Sequence, residues 1–267
     1  MKRSTKHFRM MILCMAAAVL GAAYALAQET NPIYSMNTYG FKRVNILSNS
    51  YHLVSVPFNT RPSDVNGAIG PQLTGSDDPG AADKIITWDS GSQSYRTMYL
   101  LNDVDGTNYD YKWIDTSQDP PGVATTALAS GQGFWIRSQQ NANQTIVLVG
   151  EVVTTPSYTN TIVPGLQMLA YPFSTTIELN KTTLSHGATS GSGLEDADSI
   201  MMYDPATRQF SYFYLLGNVG DTNYNYKWID MSLDPDDVAT SLLQPSQAFW
   251  YRHRGTNVFE WIEPIPY

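Results

Sequence analysis

Cysteine is almost absent: the chain has 267 residues and one cysteine, Cys14. No disulfide can therefore brace the fold, and no thiolate cluster can hold a metal. Charge is sparse as well, and the basic share is the smaller, with 16 Lys and Arg against 24 Asp and Glu. Phosphate backbones are bound by clustered cations, so this balance argues against nucleic acid as a partner. After residue 27 the sequence lacks a sustained helical period, and it lacks a second apolar run long enough to cross a bilayer. HExxH, GxSxG and P-loop patterns are missing, and Gly131-Gln132-Gly133 lacks the third glycine of a dinucleotide fingerprint. These absences point away from the common metal, nucleophile and nucleotide enzymes.

What is present begins with an export signal. Lys2, Arg3, Lys6 and Arg9 precede an apolar run from Met10 to about Leu26, and Ala25-Leu26-Ala27 offers the small residues a signal peptidase accepts. We read residues 1–27 as a signal peptide cleaved before Gln28, with an uncleaved anchor helix as the alternative. Ile12-Leu13 before Cys14 speaks against lipidation. Cleavage removes Cys14 and four basic residues, leaving 240 residues with 12 basic and 24 acidic side chains, a formal charge of −12. The expected location is secreted, either extracellular or periplasmic, with no membrane span after cleavage.

The mature chain repeats itself. NYDYKWID (108–115) returns as NYNYKWID (223–230), and aligning 82–137 with 197–252 at a constant offset of 115 gives 27 identities in 56 positions. Pro57-Phe58 falls on Pro172-Phe173 in the same register. A long unit seen twice means tandem domains and not a solenoid. We expect copy 1 over 28–153 and copy 2 over 154–267.

Each unit reads as β. KIITW and SYRTMYLL flank Asp89-Ser90-Gly91-Ser92, and SIMMY and QFSYFYLL flank Asp204-Pro205-Ala206-Thr207, so both copies carry a hairpin. HLVSVPF, QMLAYPF, YDYKWI, YNYKWI, GFWIR, AFWYR, TIVLVGEVV and NVFEWIE supply further strands. The predicted fold class is all-β: two tandem homologous β-sandwich domains, or small barrels. Strand alternation would set Tyr109, Tyr111 and Trp113 on one face and Asp110, Lys112 and Ile114 on the other. The aromatic face is then expected to point inward, with Tyr224, Tyr226 and Trp228 repeating it.

IYSMNTYGFKRVNILSNSYHLVSVPF, ADKIITWD, GQGFWIRS and IVLVGEVV together resemble a family of uncharacterised secreted tandem-repeat β proteins of verrucomicrobial-type bacteria. The resemblance covers nearly all of the mature chain. It implies bacterial export and a β-rich unit and supplies no catalytic or binding residues. Copy 2 departs from it by replacing Gly131-Gln132-Gly133 with Ser246-Gln247-Ala248, which puts a special backbone role for those glycines in question.

Trp135 and Arg137, mirrored by Trp250 and Arg252, form the candidate ligand-binding set. Residues two apart on a strand share a face, and arginine seldom points into a core, so each Trp is expected partly exposed beside a cation. A stabilising cation–π contact is the alternative. Asp103, Asp105, Asn108 and Asp110 make an oxygen-rich loop without EF-hand spacing, and copy 2 keeps none of its carboxylates at the matching places, so a polar turn is preferred to calcium. Four aspartate pairs recur, Asp83/Asp198, Asp89/Asp204, Asp115/Asp230 and Asp119/Asp234, all near predicted strand ends or turns. The expectation is an exported non-enzymatic protein without cofactor or metal, structural or adhesive at the cell surface or in the matrix. Its partners would be proteins or glycans, with self-association through Tyr-rich edge strands. A carbohydrate-binding module pair is the alternative, with a secreted glycoside hydrolase behind it.

Overall fold

The computed structural model describes residues 38–102, 108–217, 219–221, 223–233 and 235–267. The predicted signal peptide, Asp103, Asp105 and Asp234 lie outside them. The first half runs β1 (Tyr39–Ile46), β2 (Tyr51–Ser55), β3 (Phe58–Asn59), helix α1 (Val65–Ala68), β4 (Lys84–Asp89), β5 (Ser94–Leu100), β6 (Trp113–Asp115), β7 (Gly122–Val123), β8 (Gly133–Arg137) and β9 (Gln144–Val152). The second runs β10 (Ser157–Ile162), β11 (Gly165–Ala170), β12 (Ile177–Glu178), β13 (Ser199–Asp204), β14 (Gln209–Leu215), β15 (Trp228–Asp230), β16 (Asp237–Val238), β17 (Leu242–Leu243), β18 (Ala248–His253) and β19 (Phe259–Pro264). The fold is all-β. Its sheets are open antiparallel layers, so the small-barrel alternative does not apply.

Two six-stranded sheets dominate, in the orders β2-β8-β4-β5-β6-β7 and β11-β18-β13-β14-β15-β16. Both expected hairpins form at their centres. Asp89 Oδ1 accepts the Gly91 and Ser92 amides at 2.9 Å and turns β4 into β5. Asp204 does the same between β13 and β14 through the Ala206 amide at 2.8 Å and the Thr207 hydroxyl at 2.9 Å. Because those bonds favour the ionised carboxylate, both groups lie below the usual carboxylate range, the backbone amides acting most strongly.

A smaller sheet, β1-β9-β3, shares the first core: Ile46 and Ile146 pack with Ile85, Met98, Trp113 and Phe134. In the second core Ile162 and Trp261, from the β10–β19 pair, pack with Ile200, Phe213, Trp228 and Phe249. A third cluster lies between these two and draws on both halves, joining Leu53 and Trp135 to Met168, Ala170, Ala248 and Trp250. All three belong to one compact unit, Asn37–Tyr267.

The repeated block departs from its expected form. Asn108–Tyr111 is a turn, and the strand is only Trp113–Asp115. Tyr111 and Tyr226 have φ of 57° and 55°, a left-handed conformation that breaks strand alternation. Tyr109, Tyr111 and Tyr226 are consequently exposed, while Trp113 and Trp228 are fully buried. Beyond the kink, Ile114 and Asp115 are buried too, since β6 is covered on both faces. Asn66 fixes the block from outside: its Oδ1 accepts the Trp113 amide at 2.9 Å, and its Nδ2 donates to the Ala124 carbonyl at 2.8 Å. Asn180 holds Trp228 and Ala239 in the same way.

Candidate functional site

The two halves meet through contacts that swap partners at an offset of 115. The Ser55 amide donates to the Ser246 carbonyl at 3.1 Å, and the Ala170 amide donates to the Gly131 carbonyl at 3.0 Å. Val54 bridges Gln247, and Gln132 bridges Leu169. Trp88 stands edge-on to Trp250 at 5.2 Å between centroids, and Tyr203 stands edge-on to Trp135 at 5.0 Å. In each case the second contact is the first with both residues shifted by 115, one upward and one downward. That is the signature of an isologous, two-fold contact, here within one chain.

Gly131 and Ser246 make the seam by the same backbone device. Their φ angles are 78° and 68°, so both are left-handed, and both carbonyls point across to the other half. The change from Gly to Ser thus leaves the backbone role of this position intact, at the strain a β-carbon brings to that region.

A pocket of about 500 Å³ opens astride this seam, lined by Tyr51, Ile86, Tyr95, Thr97, Trp135, Tyr203, Phe210 and Trp250. Six of its eight walls are aromatic. Most neighbouring pairs stand nearly perpendicular, Trp135 meeting Tyr51 at 86° and Phe210 at 88° and Trp250 meeting Tyr95 at 87°, while Tyr203 and Phe210 are tilted at 55°. Tyr51 and Tyr95 form an open rim at 43% and 58% exposure. Partial burial raises the Tyr95 phenol above its ordinary value, so it presents a neutral hydroxyl at physiological pH. Among the described residues, no Asp, Glu, Lys or Arg belongs to the lining.

The structure brings Trp135 and Trp250 together into this pocket but buries both, at 8% and 6% exposure, instead of leaving them as partly open platforms. Neither arginine stacks on its tryptophan. The Arg137 guanidinium lies 4.8 Å above the Tyr51 ring, outside the pocket lining, and Arg252 is exposed on β18. Sequence reasoning missed Trp88, Tyr95, Tyr203 and Phe210. A signal existed, because positions 88/203 and 95/210 are aromatic in both copies. On β4, Ile85 joins the first core while Ile86 and Trp88 join the seam. A strand apolar on both faces is one covered on both faces.

Three of the four recurring aspartate pairs fasten turns and loops. Asp83 is fully buried and accepts from the Thr74 and Gln139 amides and from Gln144 Nε2 at 2.7–2.9 Å. Asp198 accepts from the Thr189 and Arg254 amides, the Tyr251 hydroxyl and His253 Nδ1. Asp115 and Asp230 each take the amide and hydroxyl of the serine two residues on. Asp110 is described but makes no carboxylate cluster with other described groups.

Comparisons with family models, with curated proteins and with solved structures return no match.

Proposed function

We propose that the chain is an exported, non-enzymatic bacterial protein of two tandem homologous β units, acting through contacts at the cell surface or in the extracellular matrix. The burial of Trp135 and Trp250 in one internal seam carries this reading. A sugar platform needs open ring faces, and these rings face the opposite half. Asp83, Asp89, Asp115 and their counterparts support a non-catalytic role, since they fasten turns and loops at separate places. The matching strand orders, each with its own core, support two homologous units over 28–153 and 154–267.

A surface for such contacts exists on the outer face of β1 and β9. Tyr39 and Phe41 are 67% and 73% exposed, and Val149, directly opposite Phe41, is 52% exposed. An apolar cross-strand pair left in water beside an exposed tyrosine is the kind of patch that protein partners cover. The test is adhesion of the purified mature chain to bacterial cells and matrix, run beside a broad glycan panel. Adhesion abolished by Phe41→Ser, with a blank panel, supports the contact reading. No adhesion and a defined glycan hit would replace it with the second reading, a carbohydrate-binding pair, which the exposed Tyr51 and Tyr95 at the pocket mouth favour.

A further inference from the structure

The geometry points to the seam pocket as a binding site for an organic cation with a fully alkylated nitrogen, a quaternary ammonium of the choline type. Six rings from both halves line one open space, most neighbouring pairs packed edge-to-face and Tyr203 tilted at 55° to Phe210. Rings so arranged can direct electron-rich faces toward one centre from several sides, and a cation within about 6 Å of such faces is attracted by their quadrupoles.

The walls also select among cations. A primary ammonium carries three N–H donors that need acceptors once desolvated, and the lining holds no carboxylate to receive them. A quaternary nitrogen has no donors; its methyl groups tolerate an apolar wall while its charge is met by the rings. An anion finds no cation in the lining and meets a chain of formal charge −8, which attracts cations at long range. Of the six rings only Tyr51 and Tyr95 offer widely exposed faces to a neutral sugar, which makes maltose the comparison that separates the two ligand classes. Arg137 already shows the chemistry at the rim, where its guanidinium rests on Tyr51.

The pocket of about 500 Å³ takes a trimethylammonium head with room for a short chain leading out past Tyr51 and Tyr95. This proposal does not depend on adhesion, and either can fail alone.

The experiment titrates the full mature chain with choline chloride, following tryptophan fluorescence and calorimetry. Its neutral isostere 3,3-dimethylbutan-1-ol and the disaccharide maltose serve as comparisons. Choline is expected to bind with a dissociation constant on the order of millimolar or tighter, and the isostere about ten-fold more weakly, a difference of about 1.4 kcal/mol. Tyr95→Ala, at an exposed rim position, should weaken choline about five-fold while the chain, short of two edge contacts to Trp88 and Trp250, still melts cooperatively. Equal affinity for choline and the isostere would overturn the proposal, leaving an apolar hole. So would the absence of choline binding to folded protein, or tighter binding of maltose.

Discussion

A β-carbon built on Gly133 would lie 2.6 Å from the β-carbon of Ala248, the residue 115 positions further on. A residue that meets its own counterpart marks the two-fold axis of the seam. Two alanines cannot both stand there, so one side must be glycine. The departure of Gly133 from Ala248 between the copies is thus a packing requirement. Gly133→Ala is expected to destabilise the chain by about 1–3 kcal/mol through overpacking. The exchange Gly133→Ala with Ala248→Gly should recover most of that loss in a urea melt. Equal damage from the single and the double variant would place the axis elsewhere.

Truncating Trp250 to Ala should cost about 3–5 kcal/mol, because it removes a buried indole from the seam. A double-mutant cycle with Trp88→Phe is expected to give a coupling of about 0.5–1.5 kcal/mol, the edge-to-face contribution at 5.2 Å. Additive changes in chemical denaturation would show that the two rings do not cooperate.

His52 sets an acid limit. Its Nε2 accepts the Leu47 amide at 2.7 Å, which requires that nitrogen unprotonated, and burial lowers the group to about 4. The unfolded chain takes up a proton near 6.5 while the folded chain does not. The contribution of this group is therefore complete above about pH 6.5 and is lost as pH falls toward 4. Melting temperatures between pH 7 and 4.5 should show this slope, and His52→Gln should flatten it.

Asp83→Ala would strand two backbone amides and the Gln144 side chain in a buried site. We expect a loss on the order of 3 kcal/mol and faster hydrogen exchange at the Thr74 and Gln139 amides. Native-like protection of both amides would show that water replaces the carboxylate.

Much of this architecture was legible in the letters. Both hairpins stood out because Asp-led turns separate runs of β-formers, and GFWIR and AFWYR formed strands β8 and β18 as expected. The block NYDYKWID misled because its composition suits a strand while Tyr111 takes a left-handed backbone, a choice imposed by the surrounding loop and invisible to a period-two count. The pocket was half legible. Trp135 and Trp250 were singled out, but exposure was inferred from the arginines two residues away. Arg137 instead reaches back over Tyr51 of the neighbouring strand, a cross-strand relation that spacing along one strand cannot reveal. The seam itself required knowing that β4 is covered on both sides.

Placing a two-fold contact inside a single chain releases it from strict identity. In a pair of separate subunits Trp88 and Tyr203, or Tyr95 and Phe210, would have to be the same residue, and a guest on the axis would meet two equal walls. Here Tyr95 lines one wall where Phe210 lines the other, and Tyr203 lines the pocket where its counterpart Trp88 does not. The two ends of a molecule lying across the axis would therefore meet different walls, a polarity that no homodimer could impose at that spot.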